Sequence, residues 1–117
     1  MAKKYFVKAG VQNQIEQRIG SALEIIPTLE ETFDLVFIDA DKREYSAYYQ
    51  LVFDKVKNGG YIIADNTLWS GKVLTEPIDD DFQTQGIIAF NELVKSDLRV
   101  EKVILPLRDG MTVIRKK

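Results

Sequence analysis

Phe33-Asp34-Leu35-Val36-Phe37-Ile38-Asp39-Ala40-Asp41-Lys42 and Gly59-Gly60-Tyr61-Ile62-Ile63-Ala64-Asp65-Asn66 decide how this chain is read. Each is a short apolar run that closes on oxygen-bearing side chains. One helix's worth of residues lies between them. A strand, a crossover helix and a second parallel strand bring both strand ends to one edge of a sheet. In open α/β sheets that edge is where ligands bind. Asp39, Asp65 and Asn66 are then expected to converge. Two carboxylates and an amide oxygen are hard ligands, suited to Mg²⁺, Ca²⁺ or Mn²⁺.

The flanking sequence extends the α/β pattern. Residues 2–9 read as the end of a helix, with Tyr5, Phe6 and Ala9 on one face and Gly10 as its C-terminal cap. Ile15 to Ile19 alternate weakly, as a strand would. Ser21 and Glu24 fit a capping box for a short helix interrupted by Pro27. Phe33 to Ile38 is nearly continuous in apolar residues, which predicts a strand buried on both faces. Asp41 and Glu44 form a second capping box before a helix of about residues 42–57. Its apolar stripe is Tyr45, Tyr48, Tyr49, Val52, Phe53 and Val56. Asn58-Gly59-Gly60 is expected to end it and turn into the strand Tyr61–Ala64. Residues 67–81 read as a loop, broken by Gly71, Pro77 and Asp79-Asp80-Asp81. A helix at about 83–96 follows, with Ile87, Ile88, Asn91 and Val94 near one face. Val100–Leu105 and Met111–Ile114 are joined by Pro106-Leu107-Arg108-Asp109-Gly110, short enough for an antiparallel hairpin.

Composition narrows the chemistry. The 117 residues make one domain or part of one, with 45% apolar and 29% charged residues, as in ordinary globular proteins. The net charge of −2 offers no electrostatic case for nucleic acid or acidic membranes. With neither cysteine nor histidine, disulfides, thiolate or imidazole metal sites, cysteine nucleophiles and Ser-His-Asp triads are excluded. Acid–base work falls to Asp, Glu, Lys or Tyr. No apolar stretch spans a bilayer and no signal-peptide pattern is present, so a cytoplasmic location is the default expectation.

Taken singly, the strand-end residues have ordinary explanations. Asp after a strand is a common turn and cap residue, Asn66 a turn former, and Lys42 a solvated surface residue. Together they are harder to dismiss. Two carboxylates side by side repel, and a divalent cation removes the conflict. Such an ion acts as Lewis acid and template toward a phenol or catechol oxygen. Lys42, three residues past Asp39, is placed to take the departing proton.

These residues resemble those of the cation-dependent O-methyltransferases that use S-adenosylmethionine, the catechol and caffeoyl-CoA O-methyltransferase group. The resemblance runs over Ala9-Gly10, Gly20–Leu23, Phe33–Lys42, Gly59–Val73 and Leu105–Thr112. Its most specific part joins Asp39-Ala40-Asp41-Lys42 to Ala64-Asp65-Asn66-Thr67-Leu68-Trp69-Ser70-Gly71-Lys72. It implies Asp39, Asp65 and Asn66 as metal ligands and Lys42 as general base. It implies Ser21, Ala22, Asp39, Asp41 and Tyr48 around the cofactor. It implies Asp39, Trp69 and Ser70 near an aromatic hydroxyl substrate. Catechols, hydroxycinnamoyl thioesters and hydroxylated tRNA bases all serve as acceptors in the group. The reaction implied is an in-line displacement at the sulfonium methyl by the acceptor oxygen, helped mainly by orientation and charge placement.

The family pattern also contains a glycine-rich loop and first strands that this sequence does not show. Gly59-Gly60 precedes a strand, the reverse of a cofactor loop. The expected fold is therefore a partial class I methyltransferase (Rossmann-like) α/β sheet. It ends in the antiparallel hairpin and lacks the first strands. The chain reads as a single partial domain, the C-terminal portion of the enzyme, binding S-adenosylmethionine weakly or not at all alone. In the family's strand order the missing strands lie between Ile15–Ile19 and Leu35–Ile38. The exposed edge then favours a homodimer or higher oligomer, by strand exchange or sheet continuation.

Two other classes are weighed. A phosphoacceptor receiver domain has similar length and a similar acidic site, but needs its acidic pair near the N-terminus, and residues 1–12 contain no Asp or Glu. A fragment that folds and associates without chemistry is the third reading.

Overall fold

The computed structural model describes residues 1–76 and 79–117. Pro77 and Ile78, and with them the expected break at Pro77, lie outside the described residues. Four strands form a single sheet in the order β1-β2-β4-β3. They are β1 (Phe33–Ile38), β2 (Val56–Asp65), β3 (Val100–Leu105) and β4 (Met111–Lys116). β1 and β2 are parallel, and β2–β4 and β3–β4 antiparallel. Four helices accompany them: α1 (Ala2–Lys8), α2 (Ala22–Thr28), α3 (Tyr45–Phe53) and α4 (Phe82–Ser96). No helix among the described residues is long and apolar enough to cross a membrane.

The core lies on one face of the sheet. Val36 pairs with Ile62 and Ile38 with Ala64. Ile62 and Ala64 in turn pair with Ile114 and Thr112. Directly paired residues share a face. On this face Ile38, Ile62, Ala64 and Ile114 are buried beneath Tyr45, Tyr49, Val52, Ile87, Phe90 and Val94 of α3 and α4. The Tyr45 ring meets the Phe90 ring edge-on at 5.4 Å, and Tyr49 meets it at 6.0 Å. Gly86 lets α4 come close here, since a Cβ at that position would lie 2.5 Å from the Lys42 main-chain oxygen.

The opposite face is uncovered, and this corrects the expectation of a strand buried on both sides. Leu35 is 53% exposed and Phe37 52%. Tyr61 and Val103, on the same face, are exposed as well. β1 also has a free edge, because β2 is its sole partner among the described residues. A buried-strand pattern needs two covering layers, and among the described residues only one is present.

Residues 15–19 are not a strand. They join no sheet, and Ile19 is almost fully exposed. A strand holds its shape through a ladder partner, and among the described residues none lies beside this segment. The expected helix over 42–57 is shorter. A 3-10 turn at Lys42–Glu44 leads into α3, which stops at Phe53. The chain is in the sheet by Lys55, whose carbonyl accepts from the Phe33 N–H at 2.7 Å. Gly59-Gly60 therefore lies inside β2 rather than ending a helix. The register shifts there: Phe33 faces Val56, yet Leu35 faces Tyr61. Gly59, at φ +81°, supplies the left-handed residue the bulge requires.

The reciprocal capping boxes do not form. Ser21 caps α2 through its main-chain oxygen, with no side-chain cap bond. Asp41 does cap the 3-10 turn, accepting from the Arg43 N–H at 3.0 Å. Glu44 instead accepts the Tyr48 hydroxyl one turn ahead. The segment expected as loop contains a kinked 3-10 stretch, Trp69–Leu74, with Ser70 and Gly71 at positive φ. The helix end before Gly10, the start of α4 after Asp81 and the antiparallel hairpin are as the sequence predicts.

Candidate active site

β1 and β2 end side by side, with Ile38 opposite Ala64. Asp39 follows one and Asp65-Asn66 closes the other. Lys42 springs from the 3-10 turn just after Asp39 and reaches back between them. Its side chain is buried, and the whole residue is only 4% exposed. Its Nζ lies 3.1 Å from Asn66 Oδ1 and 3.5 Å from Asp39 Oδ1, and donates to the Tyr45 hydroxyl oxygen. An ammonium has three N–H donors, and three oxygens surround this one.

Tyr45 ties the two strand ends together. Its hydroxyl lies 3.0 Å from the Asp65 main-chain oxygen and 3.2 Å from that of Ile38, to donate its single proton. Burial raises the Tyr45 phenol pKa most, a main-chain bond from Ala40 opposes it, and the charges of Asp39 and Asp65 push it further up. The Asp65 carboxylate also accepts from the Asn66 N–H at 2.7 Å.

The donors fit a hard divalent cation. Among the described residues no three carboxylate, imidazole or thiolate groups gather at one point. The strand ends offer two carboxylates and the Asn66 carboxamide as oxygen donors. The Lys42 ammonium is the positive charge between Asp39 and Asn66. Asp39 keeps 57% of its side chain exposed, which leaves an approach from solvent.

The loop after Asn66 is braced by the hairpin. Thr67 N–H donates to the Gly110 oxygen at 3.1 Å, and Leu68 N–H to that of Asp109 at 3.0 Å. The Ser70 N–H meets the Asp109 carboxylate at 2.5 Å. Inside, Thr112 donates to the Thr67 hydroxyl at 2.8 Å, and the Asn91 amide to the Thr67 carbonyl at 2.8 Å. Asn66, Trp69 and Ser70 all sit at positive φ, a shape these bonds maintain. The Trp69 ring packs against the core, its centroid 5.8 Å from Lys42 Nζ.

The residues matched to the cofactor divide. Ala22, Asp39 and Tyr48 line one cleft with Ile26, Ile38 and Val52, of about 170 Å³. That is below the roughly 300–1,000 Å³ usual for a small-molecule site. Ser21 does not line it. Asp41 turns the other way: the Arg43 guanidinium beside it holds its carboxyl well below the usual carboxylate range, and Gln83 donates to it at 3.0 Å. Burial and the Glu44 carboxylate push the Tyr48 phenol up to about 12.

Tyr45, Thr67, Gln83, Asn91, Asp109 and Thr112 belong to this region and were not expected from the sequence. Gln83 accepts the Lys42 N–H at 3.0 Å and so anchors the turn that carries the lysine. Tyr45 reads as one more member of an apolar stripe. Its spacing three residues after Lys42 was the available signal.

The O-methyltransferase family model matches residues 1–117. Tricin synthase 2 of Oryza sativa subsp. japonica is 39% identical over 121 aligned residues, covering 93% of this chain and 41% of that protein. The caffeoyl-CoA O-methyltransferase of Petroselinum crispum is 39% identical, with 93% and 50% covered. Among solved structures, the O-methyltransferase TomG of Streptomyces achromogenes, in complex with SAM, superposes with a TM-score of 0.90 at 28% identity, over 99% of this chain and 56% of that one. The O-methyltransferase of Bacillus cereus, in complex with SAH, gives 0.86 at 30% identity, over 99% and 56%. The chain spans about half the length of the relatives it matches. Sheet, helices and strand-end loop are those of a class I methyltransferase, and the chain belongs to the O-methyltransferase family.

Proposed function

We propose that this chain carries the acceptor and cation side of an S-adenosylmethionine-dependent, divalent-cation-dependent O-methyltransferase acting on a phenolic or catechol-type hydroxyl. The observation that carries the reading is the meeting of Asp39, Asn66 and Lys42 across two parallel strand ends, with the Asp65 carboxylate beside Asn66. Mg²⁺, Ca²⁺ or Mn²⁺, held by Asp39, Asp65 and Asn66, would supply Lewis-acid chemistry to the acceptor hydroxyl. S-adenosylmethionine would supply the methyl group, with Ala22, Asp39 and Tyr48 along its cleft.

The residues then divide the work. Trp69 offers a flat apolar surface on which an aromatic acceptor rests, and Ser70 lies beside it. Asp39 orients the acceptor from the solvent side. The acceptor oxygen forms a bond to the methyl carbon as the carbon–sulfur bond breaks. The bonding pair leaves with sulfur, and the phenolic proton passes to Lys42 in its neutral amine form, the ammonium having first given a proton to solvent. Tyr45 and Gln83 hold Lys42 in place for that transfer, so orientation is the main contribution.

The small cleft supports weak cofactor binding by this chain alone. The open β1 edge and the apolar face beside it support association of copies into a homodimer or larger assembly. The deciding experiment is methyl transfer from S-adenosylmethionine to catechol or caffeoyl-CoA, with Mg²⁺ and with chelator. Product formed only with Mg²⁺ supports the reading. Product insensitive to chelator overturns the cation's part. Cation binding without any product leaves the non-catalytic, associating fragment as the better description.

A further inference from the structure

We propose that Asp109 is a positioning residue for the aromatic acceptor: by gripping both neighbours of Trp69 it fixes the indole shelf and so sets the preference for a flat ring. The inference rests on the acceptor reading of Trp69 above and adds to it the residue that decides how firmly the shelf is placed.

The backbone at Trp69 does not hold its own shape. Trp69, Ser70 and Gly71 follow one another at φ +48°, +52° and +80°. Only the glycine is at ease there, and Trp and Ser keep such a shape where neighbours impose it. The turn between β3 and β4 imposes it from both sides. The Leu68 N–H donates to the Asp109 main-chain oxygen at 3.0 Å, and the Ser70 N–H to the Asp109 carboxylate at 2.5 Å. One residue thus holds the chain immediately before and immediately after the indole. Gly110 seats the turn against the loop, since a Cβ there would lie 2.4 Å from the Leu68 Cγ. Past the kink, Lys72 pairs with Asp81 at 2.8 Å.

The carboxylate's bond is not a demand of burial. Ser70 is exposed, and water would satisfy its N–H as well. What the carboxylate supplies is direction. Trp69 is half-buried, its ring packed on the core with its centroid 5.8 Å from Lys42 Nζ. A ring resting on that indole is therefore held in a set relation to the amine that takes its proton. Without the carboxylate the main-chain bond to Leu68 remains, and Trp69 is anchored on one side only. A loose shelf weakens the stacking of a flat acceptor. A non-aromatic diol, which draws on its hydroxyls alone, is unaffected.

Trp69 is the single tryptophan of the chain, so tryptophan fluorescence reports on this loop alone. The test titrates catechol and cyclohexanediol, the saturated ring with the same pair of adjacent hydroxyls, in the presence of Mg²⁺. The unchanged chain, Asp109→Ala and Asp109→Asn are compared, with affinity read by calorimetry and quenching by fluorescence. In the unchanged chain catechol is expected to quench Trp69 to saturation and to bind more tightly than the diol. Asp109→Ala should lose about tenfold in catechol affinity with the diol unchanged. Asp109→Asn keeps the oxygen and drops the charge, so it should retain the fold and lose about threefold or less. A structural loss would weaken both ligands alike. Catechol affinity unchanged in both variants, or both ligands weakened equally, overturns the role of Asp109 and leaves the acceptor reading standing. No saturable quenching in the unchanged chain overturns both.

Discussion

The Tyr45 hydroxyl lies 3.0 Å from the main-chain oxygen of Asp65, linking the start of α3 to the end of β2. It also receives the Lys42 ammonium. Tyr45→Phe keeps the ring against Phe90 but strips an acceptor from a buried cation and a donor from two carbonyls. Leaving buried polar groups unsatisfied costs about 1–3 kcal/mol. Urea denaturation should show a loss in that range with little change in slope.

Gly86→Ala sets two effects against each other. Alanine improves a helix interior over glycine by about 1 kcal/mol. Overpacking costs about 1–3 kcal/mol. The new Cβ would stand 2.5 Å from the Lys42 oxygen and 2.7 Å from the Arg43 Cα, both main chain. Neither can rotate aside, so crowding wins. A net loss of about 1 kcal/mol or more is expected in the same denaturation assay.

Acid should weaken α4 at its first turn. The Lys72 ammonium, then the Thr84 hydroxyl and N–H, hold the Asp81 carboxyl at about 2, against an ordinary 3.8. A depressed native pKa stabilises above the unfolded value and is lost as pH falls through the native one. The urea midpoint should thus decline between about pH 4 and pH 2, and Asp81→Asn should flatten that part of the profile.

Asp109 shapes the Trp69 loop from a distance of 39 residues, through the Ser70 N–H. A hydrogen bond to a charged acceptor contributes about 1.5–3 kcal/mol. Asp109→Ala should speed hydrogen exchange at Ser70 by about tenfold or more while α3 stays protected.

Leu35→Lys with Phe37→Lys tests association. Both side chains are about half exposed, so the folded monomer should lose little. Light scattering should show the double variant shifted toward monomer relative to the unchanged chain. An identical mass would count against association through this face.

The legible parts of this fold are those whose signal is local. Phe33–Ile38 and Tyr61–Ala64 announce themselves by apolar residues that end in Asp, and the 106–110 turn by proline and glycine. The meeting of Asp39, Lys42 and Asn66 was legible because strand–helix–strand geometry forces parallel ends together. What the sequence concealed depends on partners. Ile15–Ile19 has the alternation of a strand and no strand beside it. Val56 looks like the last turn of a helix but belongs to the sheet, since the Phe33 N–H reaches Lys55 first. The Leu35 and Phe37 side chains look buried because apolarity records what could be covered, not what is. Tyr45 was hidden for the opposite reason: its ring is core, and only its oxygen serves the site.

The strand order places β4, the last of the four along the chain, between β2 and β3. As the chain leaves the ribosome, β3 has nothing to pair with until residues 111–116 arrive. The loop carrying Trp69 likewise waits for Asp109 and Gly110. Loss of residues 111–116 would therefore remove an interior strand. Sheet and site would be lost together, from a point more than forty residues downstream of Asp65.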